Sequence, residues 1–550
     1  MPKTFLILIL VLAAVLRLSF LGQFPAGFSA DEANFGYTAY SLLKTGHDEW
    51  GEPLPVFPRT FGDFKSPIYI YLTVPAIAIF GLTEFAVRLP AALLGILSVV
   101  IVYFLVGVLF KDNKSQLSTV NCQLLASFLL AISPWHWPLS RVGIETSLIS
   151  FFTSLVLYSF IKAQANARWL VAALAVASLG VYSTNSAKLF LPLISAFMLA
   201  FGWKHYWANK KILLTGLVVS AAILLPAIIH SSAFSRRAAD VSIFNPTAGW
   251  EEVSKRQFES NLPRALERIF TNKLTYTLGE VFKNYVGYYS PQFLFTNGPS
   301  EPTYGMIPGR GVLYIFELPL VVLGWVFLFV GKHKYRYLLL FWLLSAALPA
   351  ALSKTAEHAS RAATFLPLWS VISAYGFYEI WQRWQRLRSS RLLQAALTLV
   401  LVFSVASFAN DYFFHAPKRL ARFMHYGAKE TVAYLKSQEA AYRLIIMGQP
   451  FSEAQVFTAF YQPIEPREYQ KYAPQLLKYE QGGRTFLDQL PVYTIGKYEY
   501  RGLNWNDDKT LKGMLLVGKA ADFPEKVNAQ KIIYDPAGEP LYKIVDPEKL

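Results

Sequence analysis

Two adjacent carboxylates, Asp31 and Glu32, open a polar stretch from Ser29 to Pro67 that lies between two strongly apolar segments and closes with Lys65-Ser66-Pro67. Ser29-x-x-Glu32 has the spacing of a capping box, in which an N-cap hydroxyl and a carboxylate three residues on satisfy each other's backbone N–H groups. The helix so opened is expected to run to Lys44 and stop at Gly46. Asp31 then sits in the first turn, where unbonded N–H groups and the helix dipole favour a negative charge. A carboxylate kept ionised at a membrane surface could serve as a general base; equally, both acids could do no more than cap the helix. Glu32 is the one better explained by capping, and Asp31 is the better base.

Lys65 stands where the chain re-enters apolar sequence, so it is either a snorkelling lysine or a phosphate contact at headgroup depth. Arg141 and Glu145 follow two tryptophans, Trp135 and Trp137. Their i,i+4 spacing suits a helix-surface ion pair, or else an arginine for a phosphate and a carboxylate that positions an acceptor hydroxyl or a metal. His358 and Arg361 are i,i+3 neighbours ahead of an apolar run. They suit a basic cap or a phosphodiester site, for which the planar guanidinium is shaped. Tyr285, Tyr288, Tyr289 and Phe295 read as interfacial aromatics that either line a sugar or lipid site or anchor the chain.

The elements that must position these groups are membrane helices. Of 550 residues, 54% are hydrophobic and only 16% charged, against about 25% charged in soluble domains. Apolar runs fall near 4–21, 86–110, 121–139, 146–162, 168–184, 188–203, 212–230, 312–331, 335–352, 363–382 and 391–409, about eleven spans on length. The first resembles a signal peptide but is read as an uncleaved helix, because cleavage near residue 30 would strand the acid pair at a free terminus. Ile68 to Phe80 is short, contains Pro75, and suits an interfacial helix better than a span. With that choice and the N-terminus inside, the inner loops hold Lys111 and Lys114; Lys162 and Arg168; Lys204, Lys210 and Lys211; Lys332, Lys334 and Arg336; and Arg383, Arg386, Arg388 and Arg391, with Asp112 as the only acid. The positive-inside rule favours this arrangement. The net charge of +16 is therefore no argument for nucleic acid. A single cysteine, Cys122, excludes a disulfide framework and a cysteine-based metal site.

Residues 1–409 are thus expected to form a multi-span domain whose first external loop, 22–67, carries the acids, with a second long external loop at 231–311. Residues 410–550 lack a spanning run and read as a small α/β domain on the same outer face, with strand-like strings at 443–447 and 513–517.

Ala30-Asp-Glu-Ala-Asn-Phe-Gly-Tyr, Phe64-Lys-Ser-Pro-Ile-Tyr and Phe80-Gly-Leu-Thr-Glu-Phe-Ala-Val-Arg-Leu-Pro resemble the GT-C glycosyltransferases, in particular the protein-mannosyltransferase and lipid A aminoarabinose-transferase branch. The resemblance is most specific in the first 160 residues or so, and the layout agrees over most of the chain. It implies a sugar taken from a polyprenyl phosphate carrier outside the cytoplasm and transferred with inversion. Asp31, with Glu32 beside it, matches the family's first-loop base. Lys65 matches the lysine of a Lys-Pro-Pro motif near the carrier phosphate, although this chain reads Lys-Ser-Pro. Glu145 is a looser counterpart of a later external acid, and His358 and Arg361 approximate a basic motif near the phosphate, with Arg141 a further candidate. No cofactor is required, although some relatives hold a divalent metal at the paired acids. The implied partners are a lipid-linked sugar donor, a protein, lipid or glycan acceptor, and the bilayer of the plasma membrane. Two rivals are a lipid-linked sugar flippase, which predicts charges at mid-membrane, and a ligase or polymerase using a lipid diphosphate, which predicts more external arginines.

Overall fold

The computed structural model describes residues 2–60, 62–111, 116–244, 249–300, 302, 304–354, 357–385, 391–484 and 487–550. Asp112, Lys114, Arg386 and Arg388, counted above among the loop charges, lie outside the described residues.

Helices occupy every predicted apolar run. In chain order they are α1 (Pro2–Leu18), α2 (Ala30–Thr45), α3 (Pro67–Phe80), α4 (Glu84–Leu109), α5 (Gln116–Ile132), α6 (Ile149–Ala163), α7 (Trp169–Gly180), α8 (Asn185–Phe201) and α9 (Lys210–Ile229). The second long loop contains α10 (Trp250–Glu259), α11 (Arg264–Phe270) and α12 (Lys273–Gly287), and α13 (Glu317–Val330), α14 (Arg336–Ala346), α15 (Leu366–Gln385) and α16 (Arg391–Asn410) follow. Among the described residues four helical stretches, Glu84–Leu109, Glu145–Ala163, Lys210–Ile229 and Gln394–Leu420, are long and apolar enough to cross a membrane. Only 17% of the apolar window in α9 and 11% of that over 394–420 is buried within the protein, so these helices turn apolar side chains outward, as a lipid-facing helix does and a soluble core helix does not.

Two boundaries differ from the sequence reading. The run expected over 121–139 breaks after Ile132, where Pro134 removes an N–H and disfavours helix at Ser133; the chain resumes as a single turn, His136–Leu139. Residues 141–144 are not helical, so Arg141 and Glu145 do not form an i,i+4 helix pair; Glu145 opens a 3-10 turn ahead of α6. The short helix α3 keeps Pro75 in its interior and, at 14 residues, is about 21 Å long, less than the hydrocarbon core.

Beyond residue 427 the chain builds a six-stranded mixed sheet in the order β4-β5-β3-β6-β8-β7. The strands are β3 (Leu444–Met447), β4 (Val492–Ile495), β5 (Tyr498–Arg501), β6 (Met514–Lys519), β7 (Lys531–Tyr534) and β8 (Pro540–Val545); β1 (Arg59–Thr60) and β2 (Asp63–Phe64) form a separate hairpin in the first loop. The central strands β3 and β6 pair in parallel, Leu444 opposite Met514. Their continuous apolar runs follow from burial on both faces. Helices α17 (Ala428–Gln438), α18 (Ala454–Tyr461) and α19 (Pro466–Leu476) pack against the sheet.

This C-terminal unit shares its core with the first loop. Phe28, Ala33 and Tyr37 of the α2 region cluster with Phe457, Phe460 and Tyr469. Gly36 makes the close approach possible, because a Cβ there would stand 2.5 Å from the Phe460 ring and 2.7 Å from Val87. The Tyr37 hydroxyl donates to Ile464 O at 3.0 Å, and the Gln470 amide donates to Asp48 O at 2.9 Å.

Candidate active site

The expected capping box is present. Ser29 Oγ accepts from the Glu32 N–H and Glu32 Oε2 accepts from the Ser29 N–H at 2.9 Å, and the helix ends at Gly46 in a left-handed conformation. Glu32 is fully buried and its carboxylate is consumed by structure. Arg88 Nε donates to Oε1 at 2.7 Å and the Gly143 N–H donates to the same oxygen at 2.9 Å. The rest of the Arg88 guanidinium donates to the carbonyls of Leu21, Pro25 and Gly27. Consecutive helical residues point about 100° apart, and Asp31 accordingly faces elsewhere.

Asp31 lines a cavity of about 290 Å³ together with Lys65, Glu145, Tyr304, His358 and Arg361. Lys65 Nζ donates to Asp31 Oδ1 at 2.9 Å and stands 3.4 Å from Asp63 Oδ2. The Tyr304 hydroxyl donates to Asp31 Oδ2 at 2.7 Å. The hairpin β1–β2 delivers Lys65, whose N–H donates to Pro58 O at 3.0 Å. Ser66 then serves as an extended N-cap and Pro67 occupies the first turn of α3, a position where the missing N–H is no loss.

The far wall comes from later in the chain. Glu145 enters from the turn ahead of α6, and Asn185 and Ser186 from the start of α8. The Ser186 hydroxyl donates to Arg361 O at 2.9 Å, the His358 N–H donates to the Tyr288 hydroxyl at 3.1 Å, and Ser360 Oγ lies 2.8 Å from His358 Nδ1. Tyr288 therefore supports the His358 loop from behind, while Tyr285 and Tyr289 donate to carbonyls of α14 and Phe295 is buried; none of them lines the cavity.

Sequence reasoning thus located Asp31, Lys65, Glu145, His358 and Arg361, which the fold brings to one cavity. It also nominated Glu32 and Arg141, which the fold takes elsewhere. Arg141 is fully buried and donates to the carbonyls of Leu16, Ser19 and Phe24; its charge ties the end of α1 to the following loop instead of meeting a phosphate. Asp63, Tyr304 and His425 were missed. Asp63 was the most accessible of these, two residues from Lys65. His425 belongs to the C-terminal unit and reaches the first loop because Phe28 N donates to Met424 O at 2.6 Å. Burial holds its imidazole down to about 4, with the Asp31 charge opposing that shift.

Chemically, the cavity joins a carboxylate oriented by an ammonium and a phenol to a second carboxylate and to a histidine and an arginine. That set suits a hydroxyl nucleophile and an anionic leaving group. Among the described residues no group of three or more His, Cys, Asp and Glu side chains is placed to hold a metal ion.

Comparison with known proteins agrees with this picture. Residues 64–230 match the dolichyl-phosphate-mannose-protein mannosyltransferase family. A putative mannosyltransferase, YkcB of Bacillus subtilis (strain 168), is 27% identical over 179 residues, which is 32% of this chain and only 24% of that relative. The crystal structure of ArnT from Cupriavidus metallidurans in the apo state superposes with a TM-score of 0.52 at 11% identity, over 98% of each chain. The archaeal oligosaccharyltransferase AglB from Archaeoglobus fulgidus, solved with an inhibitory peptide and a dolichol-phosphate, gives a TM-score of 0.50 at 14% identity, over 99% of this chain and 74% of AglB. At such identities these structures speak for the fold alone. The mannosyltransferase match over residues 64–230 and the fold shared with ArnT agree with the resemblance to GT-C glycosyltransferases read from the sequence.

Proposed function

We propose that the chain is an inverting glycosyltransferase that moves a hexosyl or pentosyl group from a polyprenyl phosphate carrier to an acceptor hydroxyl on the outer face of the plasma membrane. In this reading about eleven helices span the bilayer with the N-terminus inside, and the C-terminal unit lies outside with the first loop it packs against. The single observation that carries the proposal is the cavity geometry, in which Lys65 and Tyr304 present the Asp31 carboxylate to the same space that Glu145, His358 and Arg361 face.

The acceptor oxygen attacks the anomeric carbon while its proton passes to Asp31. The bond from that carbon to the carrier phosphate breaks, and the phosphate leaves with the electron pair. The Lys65 ammonium, which lies on the same cavity as Asp31, stabilises the departing phosphate by its charge, with Arg361 and His358 assisting. Fixed cations aimed at developing charge are the strongest kind of contribution such a site can make. Glu145 positions the acceptor hydroxyl. Phosphate leaves readily, so the step as written draws on neither a strong general acid nor a metal. The acceptor is a protein, lipid or glycan hydroxyl.

The test is transfer by purified protein in liposomes supplied with a panel of polyprenyl phosphate sugars and acceptor lysate, wild type beside Asp31→Asn. Transfer from one donor, lost in the variant, is the expected result. Lipid-linked sugar crossing between leaflets at equal rates in both proteins, with no transfer, would replace this reading with that of a flippase.

A further inference from the structure

Helix α12 has its polarity inside out. Leu274, Leu278, Phe282 and Val286 recur every four residues, so they share one face of the helix, and all are between 47% and 69% exposed. The polar residues Thr277 and Asn284 point the other way and are 3% and 4% exposed. A helix in water buries its apolar stripe against the core; this one buries a threonine and an asparagine and leaves the stripe outside. The preceding helix α11 also exposes its apolar residues Leu266, Ile269 and Phe270, and none of its residues is buried. Neither helix can cross a bilayer, since α12 alone carries Lys273, Glu280 and Lys283.

The helices that flank this segment also turn apolar side chains outward. At one end of the segment, α9 exposes Leu225, Ile228 and Ile229. At the other, the Tyr285 and Tyr289 hydroxyls donate at 2.8 and 2.9 Å to the carbonyls of Leu344 and Leu343 in α14, seating the C-terminal turn of α12 against an apolar helix whose own Leu344 is exposed. We propose that α11 and α12 lie on the outer surface of the lipid bilayer, with the stripe Leu274–Leu278–Phe282–Val286 in the boundary between headgroups and acyl chains. A helix of large apolar face and low net hydrophobicity binds in that plane.

Residues 250–287 carry six basic and five acidic side chains, so attraction to anionic headgroups is minor and the apolar stripe supplies the affinity. The contact then survives in zwitterionic lipid at high salt, where a charge-driven one is screened away.

The location gives this surface a purpose. Asn284 Nδ2 donates to the carbonyls of Ala351 and Ser353, and Ser353 and Leu352 line the cavity that holds Asp31. The cavity wall is therefore one hydrogen bond away from the membrane seat, and the site is held at the depth where a lipid-borne phosphate lies.

An experiment reads this without reference to turnover. In a Cys122→Ser background, single cysteines at Leu278→Cys and, as a second position, Phe282→Cys are labelled with an environment-sensitive fluorophore. The protein is placed in nanodiscs of phosphatidylcholine at high salt. Leu225→Cys in α9 marks contact with lipid, and Ala537→Cys, in an exposed turn of the C-terminal unit, marks water. The expected result is quenching by acyl-chain nitroxides as efficient as at Leu225→Cys, with protection from iodide. Quenching by iodide as efficient as at Ala537→Cys would overturn the proposal. Protection from both quenchers would overturn it as well, and would mean that a protein or a second copy of the chain covers the stripe.

Discussion

The Tyr304 hydroxyl donates to Asp31 Oδ2 at 2.7 Å while Lys65 holds Oδ1, so the carboxylate is fixed at both oxygens before any substrate arrives. Tyr304 has a left-handed backbone, with φ of 55°, uncommon for a residue with a side chain and in keeping with a phenol held in place for a purpose. A hydrogen bond to a charged group is worth about 1.5–3 kcal/mol, so Tyr304→Phe should lower kcat by about tenfold through a less well oriented base. Asp31→Asn should cost about 100-fold to 10,000-fold, the range ascribed to a general base. Steady-state transfer assays on the two variants check this. A Tyr304→Phe enzyme as inactive as Asp31→Asn would move the proton-accepting role away from the carboxylate.

Lys65 is shared between Asp31 and Asp63, and Asp63 is nearly buried at 3% exposure. Lys65→Ala therefore does two separable things. It takes a cation away from a buried carboxylate, which costs up to about 3–5 kcal/mol, and on the proposed mechanism it removes a positive charge from beside the departing phosphate. Adding Asp63→Asn should restore most of the lost thermal stability in detergent, yet leave the donor KM raised. If the double variant also regained normal use of the donor, Lys65 would be a structural partner of Asp63 and no phosphate ligand.

For Glu32 the expectation is the reverse of that for its neighbour. Its partners are Arg88, the Ser29 N–H and the Gly143 N–H, with no exposure to solvent. Glu32→Gln uncouples a buried ion pair that ties α2 to α4 and to the loop after α5, so it should cost about 3–5 kcal/mol of stability, read as a lower thermal midpoint and a lower yield of folded protein. Whatever folds should keep an ordinary donor KM. A Glu32→Gln protein of normal stability with no turnover would return Glu32 to the chemistry.

What could be read from the sequence was local. Ser29 and Glu32 announce their capping box because both partners lie within one helical turn, and Lys65 is marked by the proline that starts α3. The helices over 84–109 and 210–229 follow from length and apolar composition alone. Arg141 misled because its i,i+4 spacing from Glu145 suggests a helix-surface ion pair or a phosphate ligand, whereas its guanidinium is absorbed by the carbonyls of Leu16, Ser19 and Phe24, groups that every residue carries and no pattern distinguishes. Glu32 meets Arg88 across 56 positions and Tyr304 meets Asp31 across 273, pairings that only tertiary packing creates. Of the C-terminal sheet, the two central strands β3 and β6 were legible as apolar strings, but the contact with α2 was not, since it depends on Gly36 admitting Phe460.

His425 offers a reading of that partnership in solution. Its ring packs on Phe457 at 5.1 Å between centroids, its Nε2 lies 2.9 Å from Ser452 Oγ, and its buried Nδ1 has no hydrogen-bond partner. Burial lowers the imidazole from 6.5 to about 4. Above pH 6.5 neither the folded nor the unfolded chain protonates this group, so its contribution is complete there. As pH falls below 6.5 the unfolded chain binds a proton that the folded chain refuses until about 4, and stability declines through that window by about 1.4 kcal/mol for each pH unit of the gap. The wild-type thermal midpoint should therefore fall between pH 7 and pH 5 by more than that of His425→Gln, which has nothing to titrate at this position. Parallel melting curves of the two proteins at pH 7, 6 and 5 decide the matter: equal slopes would mean that the imidazole is charged in the folded state, facing Asp31 as a cation instead of packing as a neutral ring against Phe457.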